Sequence, residues 1–221
     1  MFRYFRVAVL AMVPADSPSA PPGKADDAHL QEHTLTSREL IKGHFLHAFR
    51  DTVRLPNGRK ASREYVRHPG AVMIIAQLDD GRLVLERQYR YPVHAVMVEF
   101  PAGKLDPGEG SLVCAQRELL EETGYTARRW ARAGVMHPVI SYSTEVIDIW
   151  FASDLTAGAR QLDAGEFLDV FTASPAELLQ WCSDGRVTDG KTLTGALWLQ
   201  NVLSGAWVLD WQDCAGPDAD R

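Results

Sequence analysis

The alternation of hydrophobic and polar residues predicts a series of short β-strands in the first half of the chain. These strands cover residues 41–49, 51–55, 61–66, 70–76, 82–88 and 97–100. Turn-forming residues at 56–58 (Pro-Asn-Gly) and 79–81 (Asp-Asp-Gly) separate strands that are expected to pair as hairpins. We therefore expect a small antiparallel β piece near the N-terminus, followed by a buried strand at residues 70–76 with its partner.

Helical and strand patterns alternate in the second half. Gly110 and Ser111 mark the start of a helix, and Gly124 is a natural residue for its end. The apolar residues expected on the buried face of this helix are Leu112, Val113, Leu119 and Leu120. Strands at 146–152 and 167–172 and helices at 175–182 and 193–202 follow. This order predicts an α/β fold with a mixed sheet between helices.

Composition narrows the class of protein. A chain of 221 residues with 46% hydrophobic content can form one globular domain with appendages. Its net charge of −6 argues against a nucleic-acid polymer as the partner. The three cysteines have no metal-type spacing and leave an odd thiol, which indicates a reducing compartment. We therefore expect a cytoplasmic protein that binds a small molecule.

The first 33 residues differ in character from the rest. A short apolar run from Phe5 to Val13 follows Arg3 and includes Arg6, and a segment rich in Pro, Ser and Ala comes after it. The apolar run is too short to span a bilayer, so no membrane partner is expected. A secretory signal is one interpretation. We favour the alternative of a disordered extension, or of a translation start assigned too far upstream.

An unusual group of carboxylates lies on the helix that begins after Gly110. Glu118, Glu121 and Glu122 are three and four residues apart, so their side chains crowd one face. Like charges at this spacing cost about 0.2–0.5 kcal/mol per pair, and the negative end of the helix dipole adds to that cost. A solvated acidic face is the simplest interpretation. A bound cation would offset the repulsion, and hard oxygen ligands suit Mg²⁺ or Mn²⁺.

The spacing around these glutamates matches a known signature. Gly103 is followed after five residues by Glu109, and after seven more by Arg117-Glu118-Leu119-Leu120-Glu121-Glu122-Thr123-Gly124. This pattern resembles the Nudix box of the Nudix hydrolases at every fixed polar and glycine position. The one departure is Tyr125, where an aliphatic residue is commoner.

The resemblance implies a fold and an assembly. The expected fold is the Nudix α/β/α sandwich with a mixed β-sheet, plus the small N-terminal antiparallel β piece. The predicted boundaries are an extension at 1–33, the N-terminal piece at 34–66, the Nudix domain at 67–208 and a tail at 209–221. In similar enzymes the N-terminal piece exchanges between subunits, so a homodimer is expected.

The resemblance also implies roles for individual residues. Glu118 and Glu122 are similar in position to the direct metal ligands, with Glu121 available to a further ion. The main-chain carbonyl of Ala102 resembles the ligand that precedes the box glycine. Arg117 and Glu109 resemble the pair that braces the loop and orients the ligands.

The flanking segments resemble those of ADP-ribose pyrophosphatases. The run-up to the box contains three candidate substrate-binding residues, Arg87, Arg90 and Glu99, and the two arginines are candidates to bind a diphosphate. Surface charge at a strand end is the alternative for both. Downstream, Glu166 lies in a segment that resembles the loop supplying the catalytic base.

Two alternatives for the catalytic base remain open. Glu145 follows a polar segment that could line the site, and Glu121 belongs to the box itself. A solvated loop position is the alternative interpretation of Glu166. Replacement of each carboxylate by its amide would distinguish the three.

The expected substrate is ADP-ribose, cleaved to AMP and ribose 5-phosphate. One departure keeps other nucleotide sugars open: the proline usual in these enzymes would fall at Ile140 or Ser141, and the nearest proline is Pro138. GDP-mannose, another nucleotide sugar or a dinucleotide is therefore an alternative substrate. A non-catalytic Nudix sensor is a further alternative, although the intact box favours an enzyme.

Overall fold

A computed structural model of the chain describes residues 27–162 and 165–214. The proposed extension at 1–33 therefore lies outside the described residues except for its last seven positions, and so does the final part of the predicted tail. A short 3₁₀ turn at Asp27–His29 precedes the first strand. Within the described part of the chain, no helix is long and apolar enough to cross a membrane.

The N-terminal piece contains three strands. They are β1 (His33–Lys42), β2 (His47–Arg54) and β3 (Lys60–Arg67), paired in that order. The single strand predicted at 41–49 is wrong, because the chain turns between β1 and β2. At this turn the amide of Gly43 donates to the carbonyl of Leu46 at 2.9 Å. A Cβ at position 43 would approach that same oxygen to 3.1 Å, so glycine suits the turn.

The chain divides into two compact units. One comprises Met1–Ser37 and Asp51–Arg63, and the other comprises Arg38–Arg50 and Glu64–Arg221. The second unit contains the other two sheets and every α-helix of the residues described.

Two sheets form the framework of the second unit. Its strands are β4 (Ala71–Ala76), β5 (Leu83–Arg90), β6 (Ala95–Glu99), β7 (Ala102–Lys104), β8 (Tyr125–Met136), β9 (Ile147–Ala157), β10 (Leu168–Ala173) and β11 (Gln212–Asp213). The smaller sheet has the order β10-β5-β6, and the larger has the order β11-β8-β9-β4-β7. In the larger sheet β4 pairs parallel to β9 and antiparallel to β7. The expected mixed sheet is confirmed.

Helices cover both faces of the larger sheet. They are α1 (Ser111–Glu118), α2 (Pro175–Ser183) and α3 (Gly190–Leu203). Because side chains alternate along a strand, Val72 and Ile74 of β4 belong to a cluster with α1, whereas Met73 and Ile75 pack with residues of α2 and α3. The strand is buried on both sides. This arrangement confirms the α/β/α sandwich.

The helix of the box begins and ends where the sequence indicates, but its buried face differs. Gly110 is the residue before α1, and Gly124 ends the following π-helical segment (Leu119–Thr123) with a φ of 76°. Cys114 and Ala115 are buried with Leu119, whereas Val113 is 58% exposed. The prediction for Val113 was wrong because the helix buries Cys114, Ala115 and Leu119 against the sheet, with Leu112 partly buried against the same cluster.

The longest strand among the described residues was not predicted from the sequence. β8 is 12 residues long and contains three arginines, which obscure its alternation. The pairing of β8 with β9 also shifts register between Arg132 and Gly134 of β8, which interrupts the side-chain alternation there. At Gly134 an added Cβ would lie 2.9 Å from the Trp198 ring, so α3 packs directly over the strand.

Candidate active site

A cavity of about 1080 Å³ lies in the second unit, where the box helix faces strands β5 to β7. Its walls carry charged side chains of both signs: Arg90, Glu99, Arg117, Glu118, Glu122, Glu145, Glu166 and Lys191. Ala102 and Gly103 also line it. Pockets that bind small organic ligands typically have volumes of about 300–1,000 Å³, so this cavity is large enough for such a ligand.

Gly103 makes room for the Glu118 side chain. A Cβ at position 103 would lie only 1.8 Å from Cδ of Glu118, so any other residue would displace the carboxylate. Glu118 itself is largely buried, and burial raises the pKa of its carboxyl group. The spacing between the box glycine and this glutamate therefore has a steric cause.

Arg117 connects three glutamates. Its guanidinium donates to both carboxylate oxygens of Glu109, at 2.9 and 2.8 Å, and Nη1 donates to Glu118 and Glu121, each at 2.9 Å. A further bond from Nη2 reaches the carbonyl of Lys104 at 3.1 Å. The hydrogen bonds from Arg117 lower the pKa of Glu109 to about 2. Arg117 thus joins Glu109 to two glutamates of the box helix and to the main chain at Lys104.

Glu122 is more deeply buried than Glu118 and Glu121. Its Oε2 accepts a hydrogen bond of 3.0 Å from the amide of Ala102. Burial raises the pKa of Glu122 to about 10, and the charges of Glu86 and Glu118 add to the effect. An ionised Glu122 therefore requires a nearby positive charge.

The sequence interpretation missed Glu86, a buried carboxylate beside Glu122. Burial raises the pKa of Glu86 to about 8, partly offset by a hydrogen bond with Glu122. Oε1 of Glu86 is buried and has no hydrogen-bond partner in the described part of the protein. A carboxylate directly after the buried run Leu83–Leu85 was the available signal.

These carboxylates fit a hard divalent cation by their chemistry. They are oxygen donors whose burial disfavours the charged form, and a cation beside them would reverse that preference. Among the described residues no three His, Cys, Asp or Glu side chains already converge as a metal-binding group. The expected set needs only the two side chains of Glu118 and Glu122 together with the main chain of Ala102. Glu121 is bonded to Arg117 and is not among the residues that line the cavity.

Glu166 and Glu145, two of the candidate bases, both line the cavity. Glu166 follows positions 163–164, which lie outside the described residues. Its charge contributes to the raised pKa of both Glu118 and Glu122, so it faces the box glutamates. Glu145 lies 3.8 Å from Nε2 of His68. Glu121, the third candidate, is bonded to Arg117 and does not line the cavity.

The structure separates the two candidate diphosphate-binding arginines. Neighbouring side chains on a strand point to opposite faces, and Gln88 and Arg90 line the cavity while Arg87 does not. Arg87 is exposed and lies opposite Asp169 of β10. Arg90 donates from Nε and Nη2 to the buried carboxylate of Glu99, at 2.7 and 2.8 Å.

Residues at the start of α3 form the cavity wall next to Glu99. The sequence interpretation missed them as well. The Asp189 side chain accepts from the amide of Thr192 at 2.9 Å and so caps the helix. Nζ of Lys191 donates to Glu99 and, at 3.0 Å, to Asp189. The helix predicted at 193–202 begins earlier, at Gly190. An Asp three residues before a Thr was the available capping signal.

Two protein families match the chain. The NUDIX domain matches residues 66–193, and the nucleoside diphosphate sugar hydrolase N-terminal domain matches residues 32–66. An ADP-ribose pyrophosphatase of Bacillus subtilis is 34% identical over 173 residues, which are 77% of this chain and 94% of that protein. A methanol dehydrogenase activator of Bacillus methanolicus is 37% identical over 174 residues, covering 77% and 93% of the two chains.

A solved structure shares the fold. The crystal structure of an ADP compounds hydrolase superposes with a TM-score of 0.73 at 24% sequence identity. The match covers 80% of this chain and 97% of that one.

Proposed function

Because this chain belongs to the NUDIX family of hydrolases, we propose that it cleaves the diphosphate linkage of a nucleoside diphosphate sugar, with ADP-ribose as its preferred substrate. The observation that carries the proposal is the convergence of Glu118, Glu122, Glu166 and Arg90 on one cavity. Three carboxylates and an arginine on the wall of one cavity suit a ligand that is anionic and bound through metal ions.

The proposed cofactor is Mg²⁺, with Mn²⁺ as a substitute. Glu118, Glu122 and the carbonyl of Ala102 would hold it, and Glu121 would serve a further ion. When bound, such an ion neutralises phosphoryl oxygens and lowers the pKa of a coordinated water.

The protein's own residues prepare the reaction in distinct ways. Arg117 orients Glu118 through the 2.9 Å bond from Nη1. The Ala102 amide holds Glu122 in place. Glu166 is the proposed base that accepts a proton from the attacking water. An oxygen–phosphorus bond then forms, the bridging phosphorus–oxygen bond breaks, and the products are AMP and ribose 5-phosphate.

Several observations support a nucleotide sugar over a smaller diphosphate. The cavity is large enough for a ligand of that size. The match to the nucleoside diphosphate sugar hydrolase N-terminal domain lies directly before the NUDIX match. The Bacillus subtilis relative, whose length is almost wholly covered, is an ADP-ribose pyrophosphatase.

The test is a substrate panel with the purified protein and Mg²⁺. ADP-ribose, GDP-mannose, NADH and diadenosine polyphosphates are incubated separately, and the products are separated by chromatography. We expect AMP and ribose 5-phosphate from ADP-ribose. Faster turnover of GDP-mannose would contradict the substrate, and binding without turnover of any compound would favour a sensor instead.

Glu118→Gln provides the internal control for the panel. This variant should lose at least about 100-fold in kcat, as expected for removal of a metal ligand. Glu64 is an exposed glutamate on β3 that pairs with Arg50 of β2, and Glu64→Gln is the matched control that should retain activity. Equal activity of the two variants would contradict the assignment of Glu118.

We also propose a cytoplasmic homodimer, formed through the N-terminal piece at 34–66, with the catalytic domain at 67–208 and a tail at 209–221. Apolar side chains exposed near the turn between β1 and β2 support an interface there: Leu40, Ile41, Phe45 and Leu46. Sedimentation velocity should give twice the chain mass. Ile41→Asp with Leu46→Asp should shift the protein to a monomer, and a monomeric wild type would contradict the proposal.

A further inference from the structure

Glu99 is the most enclosed charged side chain on the cavity wall, and two cations hold it. It is 2% exposed. Arg90 donates to both of its oxygens, and Lys191 also donates to Oε2. Because an isolated buried carboxylate is unfavourable, both cations contribute to keeping Glu99 ionised.

The two cations differ in what else they can contact. The Lys191 side chain is 13% exposed and is shared between Glu99 and Asp189. Arg90 is 44% exposed. Its bonds to Glu99 use Nε and Nη2, so the third nitrogen, Nη1, is directed away from Glu99. Arg90 is therefore the more exposed of the two cations and keeps a nitrogen with which it can contact a ligand in the cavity.

An acidic neighbour makes the position of Glu99 depend on both cations. Glu86 lies directly opposite Glu99 on the paired strands β5 and β6, and it is also buried. A carboxyl group opposite Glu99 supplies no positive charge to hold it, so its ion pairs are those with Arg90 and Lys191. With Lys191 absent, Arg90 would be the remaining cation on Glu99, and the carboxylate that fixes its guanidinium would lose its contact with α3.

We propose that Lys191 is a positioning residue for substrate binding: it holds the buried Glu99 carboxylate so that Arg90 presents its free nitrogen to the diphosphate. This inference rests on the proposed function, because it assigns the site a diphosphate ligand. It places the start of α3 in the binding machinery, although Lys191 is 101 positions beyond Arg90 in the chain.

A second contact connects α3 to the end of β6, where Glu99 lies. The amide of Phe100, which follows Glu99, donates to Oγ1 of Thr192 at 3.3 Å, and Thr192 is fully buried. At Gly195, one turn later, a Cβ would lie 2.8 Å from the Phe100 ring. The helix is thus packed closely against the strand end, which leaves Lys191 little freedom to move away from Glu99.

The experiment is a double-mutant cycle on steady-state kinetics with ADP-ribose. Lys191→Met should raise KM by roughly tenfold while kcat changes less than about threefold, because Arg90 binds the ground state and the transition state alike. In the Glu99→Gln background the same change should alter KM by less than about twofold, since the route through Glu99 is already lost. An equal rise of KM in both backgrounds would overturn the proposal, as would a fall in kcat with unchanged KM.

Two further variants separate charge from folding. Lys191→Arg keeps the cation and should stay within about threefold of the wild-type KM. Lys60→Met, a substitution of an exposed lysine on β3, is the matched control and should leave KM unchanged. If circular dichroism shows that Lys191→Met does not fold, Lys191→Gln replaces it. A Lys191→Arg variant that folds and behaves like the neutral variants would overturn the proposal.

The cycle also distinguishes this inference from the proposed function. A wild-type protein that turns over none of the nucleotide sugars contradicts the proposed function. In that case binding of ADP-ribose to the EDTA-treated protein, measured by calorimetry, replaces KM in the same four-variant cycle. Non-additive losses of affinity would support the role of Lys191, and additive losses or unchanged affinity would overturn it.

Discussion

At the scale of single residues, the site is organised by hydrogen bonds that give similar carboxylates different surroundings. Arg117 lowers the pKa of Glu109, whereas burial raises the pKa values of Glu118 and Glu122. Among the hydrogen bonds of the described residues, none runs from an arginine to Glu166 or Glu145. Both residues line the cavity. Residue type alone therefore does not determine the role of a glutamate here.

The first prediction concerns the choice of base. Glu166→Gln should lower kcat by about 100- to 1,000-fold with KM changed less than threefold, because removal of a general base costs about 10²–10⁴-fold. Glu145→Gln is the matched control and should lower kcat by less than about tenfold. Steady-state kinetics with ADP-ribose and Mg²⁺ measures both values. A larger loss in Glu145→Gln would transfer the role of the base to Glu145.

At the scale of elements, the connection between the box helix and β8 depends on one backbone conformation. Gly124 ends the π-helical segment with a φ of 76°, and its amide donates to the carbonyl of Leu120 at 2.9 Å. An added Cβ would lie 2.7 Å from the carbonyl oxygen of Gly158. The amide of Gly158 also donates to the carbonyl of Gly124 at 2.7 Å. Two chain segments therefore meet at Gly124 with no room for a side chain.

Gly124→Ala is accordingly expected to destabilise the fold by at least about 2 kcal/mol, from the left-handed backbone and the close contact together. Gly81→Ala is the matched control, because Gly81 has a similar φ of 84° with nothing within 4 Å of an added Cβ. It should cost about 1 kcal/mol. Urea unfolding followed by circular dichroism gives both free energies. Equal losses in the two variants would show that the contact with Gly158 has no effect.

At the scale of the whole molecule, the buried acidic group makes stability depend on pH and on metal. The folded state binds protons at Glu86 and Glu122 more tightly than the unfolded chain, because burial raises their pKa values from 4.5 to about 8 and about 10. The stabilisation from these groups is fully present below pH 4.5 and is lost as the pH rises through their folded-state pKa values. A divalent cation would favour the ionised forms and so act in the opposite direction.

The EDTA-treated protein should therefore lose thermal stability between about pH 6.5 and pH 8. His68, whose pKa is lowered from 6.5 mainly by burial, changes stability only below this range, and Glu109 changes it only at still lower pH. Addition of Mn²⁺ should raise Tm more at pH 8 than at pH 6.5. Differential scanning calorimetry with and without the metal measures both effects.

Glu86→Gln tests the cause of this pH dependence. The amide cannot ionise, so the variant should have a higher Tm than the wild type at pH 8 without metal, and a flatter dependence on pH. A wild-type protein whose metal-free stability is constant or rises over this range would contradict the account.

Much of the fold and the centre of the site followed from the sequence. The box helix, its glycine end and the buried strand at 70–76 have local patterns, because capping residues and side-chain periodicity act over a few positions. The relative placement of Glu109, Arg117, Glu118 and Glu122 also depends on short spacings. The strand β8 did not follow, because three arginines and a register shift hide its alternation.

The rest of the site was decided by tertiary structure. Whether Arg87 or Arg90 faces the cavity depends on which face of β5 is covered, and the burial of Glu86 depends on the packing of β5 beside the box helix. Lys191 meets Glu99 from 92 positions away in the chain. Short spacings determine which residues lie on one turn of a helix. Contacts between distant segments form only where the sheets and helices pack, and the solvent excluded there determines which charges must pair.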